Sequence, residues 1–263
     1  MGTVGSTFVL ASAILVAGLT GCGGGGSGSV TATTGQAQGV YTGSFSLPAL
    51  PVGKFSTLVL ENDELWTLYG REGVNAELII YGLIQGQGAA SSGSFSSGAL
   101  KDYFYDGSSA SGTLSARYEL GSSFSGTFSA NGQSVSFAGV VPATGSSLYS
   151  YNTAAVLTEI TGSWDATNMY GGTSSFTISA GGTISGINQN GCGFSGTVLP
   201  RGSGKNVFDV STTNNTSPEC GSASGLSFRG VALSSLLGGG QRQLIVALVS
   251  ADRTYGSAIF ATR

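Results

Sequence analysis

The chain has 263 residues, 45 of them glycine, with 10 Lys and Arg against 13 Asp and Glu and no histidine. So few charges cannot form the single-sign stripe that grips nucleic acid. The missing imidazole excludes Ser-His-Asp and Cys-His nucleophile pairs, HExxH metalloprotease helices and His-ligated zinc.

Solubility must come from Ser, Thr, Asn and Gly. The bias toward Gly, Ser, Thr, Tyr, Phe and Val favours many short strands with tight turns over helices. At the N-terminus an apolar run, Phe8 to Leu19, precedes Leu19-Thr20-Gly21-Cys22, and a Gly/Ser stretch follows from Gly23 to Ser29. The run is shorter than the roughly 20 apolar residues a transmembrane helix needs, and it fits a signal h-region. A short apolar segment, a small-residue cleavage site and a cysteine, in that order, resemble a bacterial lipoprotein signal, although no Lys or Arg precedes Phe8. That resemblance implies removal of residues 1–21, a diacylglyceryl group on the Cys22 sulfur, and membrane attachment through it. Gly23 stands where that family carries Asp for inner-membrane retention, so the resemblance implies the outer membrane.

With Cys22 assigned to lipid, two cysteines remain, Cys192 and Cys220. An even pair in an oxidising periplasm reads as one disulfide. A metal or redox pair is the alternative, but the C-x-x-C spacing is absent.

Residues 22–38 carry too little apolar surface to order themselves and read as a tether. Folded structure begins at Gly39, with Val40, Tyr41 and Phe45 in a first strand. Phe55 to Tyr69 reads as a hairpin turning at Asn62-Asp63, with the Glu61, Asp63 and Glu64 carboxylates solvated at its tip. Glu77 to Gly86 is apolar enough for a central strand. Shorter runs follow at Ser92–Ser96, Ser111–Tyr118 and Ser123–Ser129. Asn131-Gly132 then joins Ser123–Ser129 to Ser134–Val141, the strongest short hairpin signal in the chain. In that last run Val135, Phe137, Gly139 and Val141 share the more apolar face.

Pro142 to Leu157 breaks the rhythm and reads as a coil or short helical link. Ile160-Thr-Gly-Ser-Trp-Asp-Ala166 opens a second round that echoes Val40 to Phe45, which reads as a diverged duplication. Gly181-Gly182 turns another hairpin, and further strands fall at 193–198, 206–211, 226–233, 242–249 and 255–262. The run Leu244 to Val249 is apolar on both faces and requires cover on both.

The fold expected is therefore all-β, with two tandem antiparallel meander barrels or sandwiches of about eight short strands each. The expected units are 39–142 and 159–263, joined by a linker at 143–158. Abundant Gly and Ser suggest tight strand packing or a narrow lumen more than a wide cavity. Most acids fall at turns or beside strands and read as solvated. Trp66, Tyr69, Tyr103, Tyr105, Trp164 and Tyr170 could offer a stacking platform, but aromatics in small β-domains mostly fill cores.

Gly39/Tyr41/Gly43, Trp66/Tyr69, Gly162/Trp164 and Gly191-Cys192 with Cys220 resemble a set of Gram-negative β-rich lipoproteins. They are scaffold positions and lend no reaction, cofactor or catalytic residue. Residues 160–186 resemble the opening hairpin of avidin-type barrels, without the later tryptophans that wall the pocket there. The functional expectation is a non-enzymatic, lipid-anchored envelope protein with a structural, adhesive or accessory binding role and no cofactor. The alternative is a small-ligand-binding barrel, lipocalin- or avidin-like, in one half.

Overall fold

The computed structural model describes residues 37–47, 50–72, 78–142, 149–237 and 240–263. Cys22 and most of the tether lie outside them.

The first half contains nine antiparallel strands: β1 (Gly39–Leu47), β2 (Leu50–Val59), β3 (Glu64–Glu72), β4 (Leu78–Gln87), β5 (Ala89–Ser91), β6 (Ser94–Phe104), β7 (Ser109–Glu119), β8 (Ser123–Ala130) and β9 (Gln133–Val140). β1 pairs with β9, and β4 pairs directly with β6 from Gly82↔Phe104 to Gln85↔Lys101. Eight strands thus close into a barrel, with short β5 as a spur on β6. Closure removes the unpaired edges that an open meander would expose. β7 alternates strictly, with Ala110, Gly112, Leu114, Ala116 and Tyr118 buried and the Ser, Thr, Arg and Glu residues between them exposed. Hydrocarbon would not solvate that outer face.

The second half closes a barrel of eight strands: β10 (Gly162–Asn168), β11 (Thr173–Ile178), β12 (Thr183–Asn188), β13 (Gly193–Pro200), β14 (Phe208–Asn214), β15 (Ser227–Leu236), β16 (Arg242–Ser250) and β17 (Gly256–Thr262). β10 pairs with β17 as β1 does with β9. The two opening strands share a further device. The Tyr41 hydroxyl donates to the Ala37 carbonyl at 3.0 Å, and Trp164 Nε1 donates to the Ile160 carbonyl at 2.8 Å. In each, an aromatic two residues after a glycine ties back four residues and seals one end of its barrel. The link before Trp164 is ordered by a single 3-10 turn, Leu157–Glu159.

Asn131 and Gly132 both take positive φ, 50° and 73°, as a two-residue hairpin turn of matching twist requires. The strand expected at Ser92–Ser96 instead runs on to Phe104. Gly98 and the Lys101-Asp102 pair interrupt its apolar pattern, and the chain absorbs the break as a register irregularity between Ser97 and Leu100. Beyond it Leu100, Asp102 and Phe104 face the barrel interior.

The barrels pack side by side. Val40, Leu58, Leu60, Trp66, Leu83 and Tyr103 from the first meet Met169, Val207, Val231, Ala247, Val249 and Phe260 from the second in one buried cluster. This accounts for the doubly apolar run in β16: Leu244, Val246 and Leu248 fill the second barrel while Ala247 and Val249 fill the seam. Polar groups pin the same seam. Arg229 Nη1 reaches Glu64 Oε1 at 2.8 Å, Arg201 Nε reaches Glu61 Oε1 at 2.8 Å, and the Arg253 guanidinium donates to the Gln85 and Ala99 carbonyls. The solvated hairpin tip expected from the sequence is corrected here. Asp63 and Glu64 are buried: Asp63 Oδ2 accepts from the Ala90 amide within the first barrel, and Arg229 of the second barrel pairs with Glu64.

Candidate ligand site in the first barrel

Inward residues decide what each barrel can hold. In the second, Trp164, Phe176, Ile178, Phe208, Leu244 and Val246 meet in one buried apolar cluster. The Arg263 guanidinium lies 4.4 Å from the Trp164 ring and donates to the Glu159 and Thr161 carbonyls, closing that end. Trp164 therefore serves the core, as do Trp66 and Tyr103 in the seam, each under 4 % exposed. The stacking platform does not form from these residues; of that set, only Tyr105 and Tyr170 are substantially exposed.

The first barrel holds a limited lumen. One half of its interior is packed by Tyr41, Phe95, Leu114, Tyr118 and Phe124. The other half is a cavity of about 290 Å³ walled by Phe45, Phe55, Phe104, Phe128, Val135 and Phe137. Asn131 and Gln133 line it and are also exposed, so the cavity reaches solvent beside the β8–β9 turn. This explains why Val135 and Phe137 are only half-buried although they point inward. The aromatic rings brace one another edge to face, Phe55 on Phe137 at 5.4 Å and Phe45 on Tyr69 at 6.1 Å.

Two polar features interrupt this wall. Thr57 and Thr67 hydroxyls share a 2.8 Å hydrogen bond. Deeper in significance, the Tyr69 hydroxyl donates to Asp102, 2.8 Å from Oδ1 and 3.0 Å from Oδ2. Gly82 makes the approach possible: it pairs with Tyr69 across β3 and β4, and a Cβ there would lie 2.4 Å from the hydroxyl. Asp102 is 4 % exposed. Burial pushes its carboxyl up to about 7, against which the Tyr69 hydrogen bond works by favouring the ionised form. The Tyr69 hydroxyl is held well above the phenol range, by burial first and by the Asp102 charge second.

Asp102 is thus an acid that sequence reasoning assigned to solvent. The signal was present in its phase: Leu100, Asp102 and Phe104 alternate as one face of a strand, which places the carboxylate wherever the leucine and phenylalanine go. Among the described residues no cluster of three or more Cys, Asp or Glu could hold a metal ion. No described helix is long and apolar enough to cross a membrane, which says nothing of strands.

Cys192 and Cys220 are joined as a disulfide, with Cα atoms 4.7 Å apart. It ties the β12–β13 turn to the 3-10 segment Pro218–Ala223 on the rim of the second barrel, away from the cavity.

No protein family model matches the chain, and no curated protein sequence does. Among solved structures it is similar to a Bacteroides fragilis protein provisionally named for the outer membrane, with TM-score 0.28, 10% identity, and 88% of this chain and 99% of that one covered. It is also similar to a variant of transferrin binding protein B from Haemophilus parasuis, with TM-score 0.29, 9% identity, and coverage of 89% and 78%. A third is a Nostoc punctiforme protein of unknown function from the DUF3598 family, with TM-score 0.25, 12% identity, and coverage of 88% and 96%. Overlap this loose carries no statement about ligand or role.

Proposed function

We propose that this chain is a non-enzymatic binding protein of the bacterial envelope, anchored by lipid on Cys22, whose first barrel takes up a small, mainly apolar ligand. The observation that carries the binding role is the lumen of the first barrel, which keeps an apolar cavity of about 290 Å³ reaching solvent. An apolar void costs packing energy, so a lumen kept empty of side chains is explained by an occupant. Its volume lies near the lower bound of pockets that bury small ligands.

The neutral probe N-phenyl-1-naphthylamine tests this. Its fluorescence is expected to rise on binding the wild type, and Val135→Trp, which fills the mouth at a half-buried position, is expected to weaken binding roughly tenfold or more, about 1.4 kcal/mol. Equal binding by wild type and variant, or none by the wild type, would remove the lumen as a site.

The anchor is supported by the order of apolar run, small residues, cysteine and Gly/Ser stretch at residues 8–29. Radiolabelled palmitate is expected to enter the wild type in bacterial cells and to be absent from Cys22→Ala. An unlabelled, soluble wild type would refute attachment there.

A further inference from the structure

Resting on the lumen as a binding site, we infer that its ligand is a short-chain alkylamine, an apolar tail ending in a positively charged nitrogen that Asp102 receives. Among the described residues Asp102 is the one charged residue in the wall of the cavity. Among the described residues its two oxygens share a single donor, the Tyr69 hydroxyl, while an ionised carboxylate can accept about four hydrogen bonds. Buried charges are otherwise paired, and a carboxylate in an apolar lumen lacks its counter-ion.

The chain does not supply one. On β6 itself Lys101 turns outward to the Arg253 carbonyl at 2.6 Å. On β2 and β3, Lys54 pairs with Glu72, Arg71 is exposed, and Glu64 is held by Arg229 and Gln85 on the outer face. β4 brings only Tyr81, whose ring packs on Tyr105, and β7 brings Arg117 and Glu119, both exposed. Asp106, on the turn after β6, adds a second negative charge close enough to act on Tyr69. A cationic ligand head would enter a wall whose polar groups are the mutually bonded Thr57 and Thr67 hydroxyls, Asn131 and Gln133 at the mouth, and one acid braced by a phenol. An anionic head would be repelled by that acid. The cavity volume limits the tail.

Three probes of one length and different charge separate these cases: n-octylammonium, 1-octanol and octanoate, each displacing N-phenyl-1-naphthylamine from the full chain. At pH 8 octylammonium is expected to bind about tenfold more tightly than octanol, the scale of one charge-assisted hydrogen bond, and octanoate more weakly than either. Asp102→Asn is expected to erase the amine preference and keep octanol binding. Between pH 6 and 8 octylammonium affinity is expected to rise as Asp102 ionises, an alkylamine staying charged throughout, while octanol affinity stays level. This pH series needs no variant, so it decides the matter even if Asp102→Asn misfolds.

Equal affinity of octylammonium and octanol, or an amine preference that survives in a folded Asp102→Asn, would overturn the inference and leave the lumen reading intact. Failure of the wild type to bind the naphthylamine probe or any octyl compound would overturn the lumen reading itself.

Discussion

Replacing Asp102 by Asn is expected to make the protein more stable at pH 8 and less stable at pH 3.5. The carboxyl ionises near 3.8 in the unfolded chain and near 7 in the folded one. Below both values each state binds the proton and titration contributes nothing. As pH rises from about 4 to about 7 the unfolded chain releases its proton while the folded chain keeps it, so folding stability falls. The gap of about three pH units, at about 1.4 kcal/mol each, removes on the order of 4 kcal/mol, after which the curve is flat. Asparagine does not titrate. Its amide oxygen still accepts from Tyr69, but its NH2 brings unpaired donors into the lumen, at a cost of about 1–3 kcal/mol at every pH. The difference between variant and wild type therefore changes sign, from a loss of about 1–3 kcal/mol at pH 3.5 to a gain of about 1–3 kcal/mol at pH 8. Urea unfolding followed by circular dichroism at pH 3.5, 5, 6.5 and 8 measures it, and other titrating groups cancel in the difference. A difference that does not vary with pH would mean that Asp102 is as well solvated in the folded protein as in the unfolded chain.

The same residue marks the limit of what the chain disclosed before its coordinates. Features governed by neighbouring residues were legible: Asn131-Gly132 demands positive φ twice and takes it, and the doubly apolar Leu244 to Val249 demands two buried faces and has them. Alternation in β9 told which side of that strand would turn inward. What alternation cannot tell is how far the opposite wall stands. Phe137 in the first barrel and Phe176 in the second sit in similar Ser-containing strands, yet one borders a cavity and the other joins a buried apolar cluster. That difference is set by long-range terms: Trp164 and Arg263 seal the second barrel from opposite ends of its sequence. Burial of Glu64 was hidden for the same reason, since the arginine that neutralises it lies 165 residues away on β15. The irregularity at Ser97 to Leu100 concealed Asp102 by a local route, breaking the pattern just where the strand resumes its phase.

The disulfide bears on stability and leaves the lumen untouched, which makes it the complementary test. Cys192 and Cys220 are 28 residues apart, and the bridge closes β13, β14 and the start of the 3-10 segment into a loop. Cross-linking a loop of that length restricts the unfolded chain by about 3–4 kcal/mol in the entropic account. Non-covalent bonds already hold the native geometry on both sides. Asn188 Oδ1 accepts from the Asn190 and Cys192 amides, Asn214 Nδ2 donates to the Ala223 carbonyl, and the Asn215 amide donates to the Gly193 carbonyl. The Cys192→Ala/Cys220→Ala double variant is therefore expected to keep its fold and lose about 3–4 kcal/mol in urea unfolding at pH 7. Alanine is the right replacement because both sulfurs are buried, and serine would bury a hydroxyl in their place. Binding of the naphthylamine probe is expected to be unchanged, since the bridge lies on the other barrel. A loss below about 1 kcal/mol would show that the unfolded chain is already restricted in this segment without the bridge. A loss of probe binding in a folded double variant would show that the two barrels are coupled through the seam that Glu64, Arg229 and Arg253 pin.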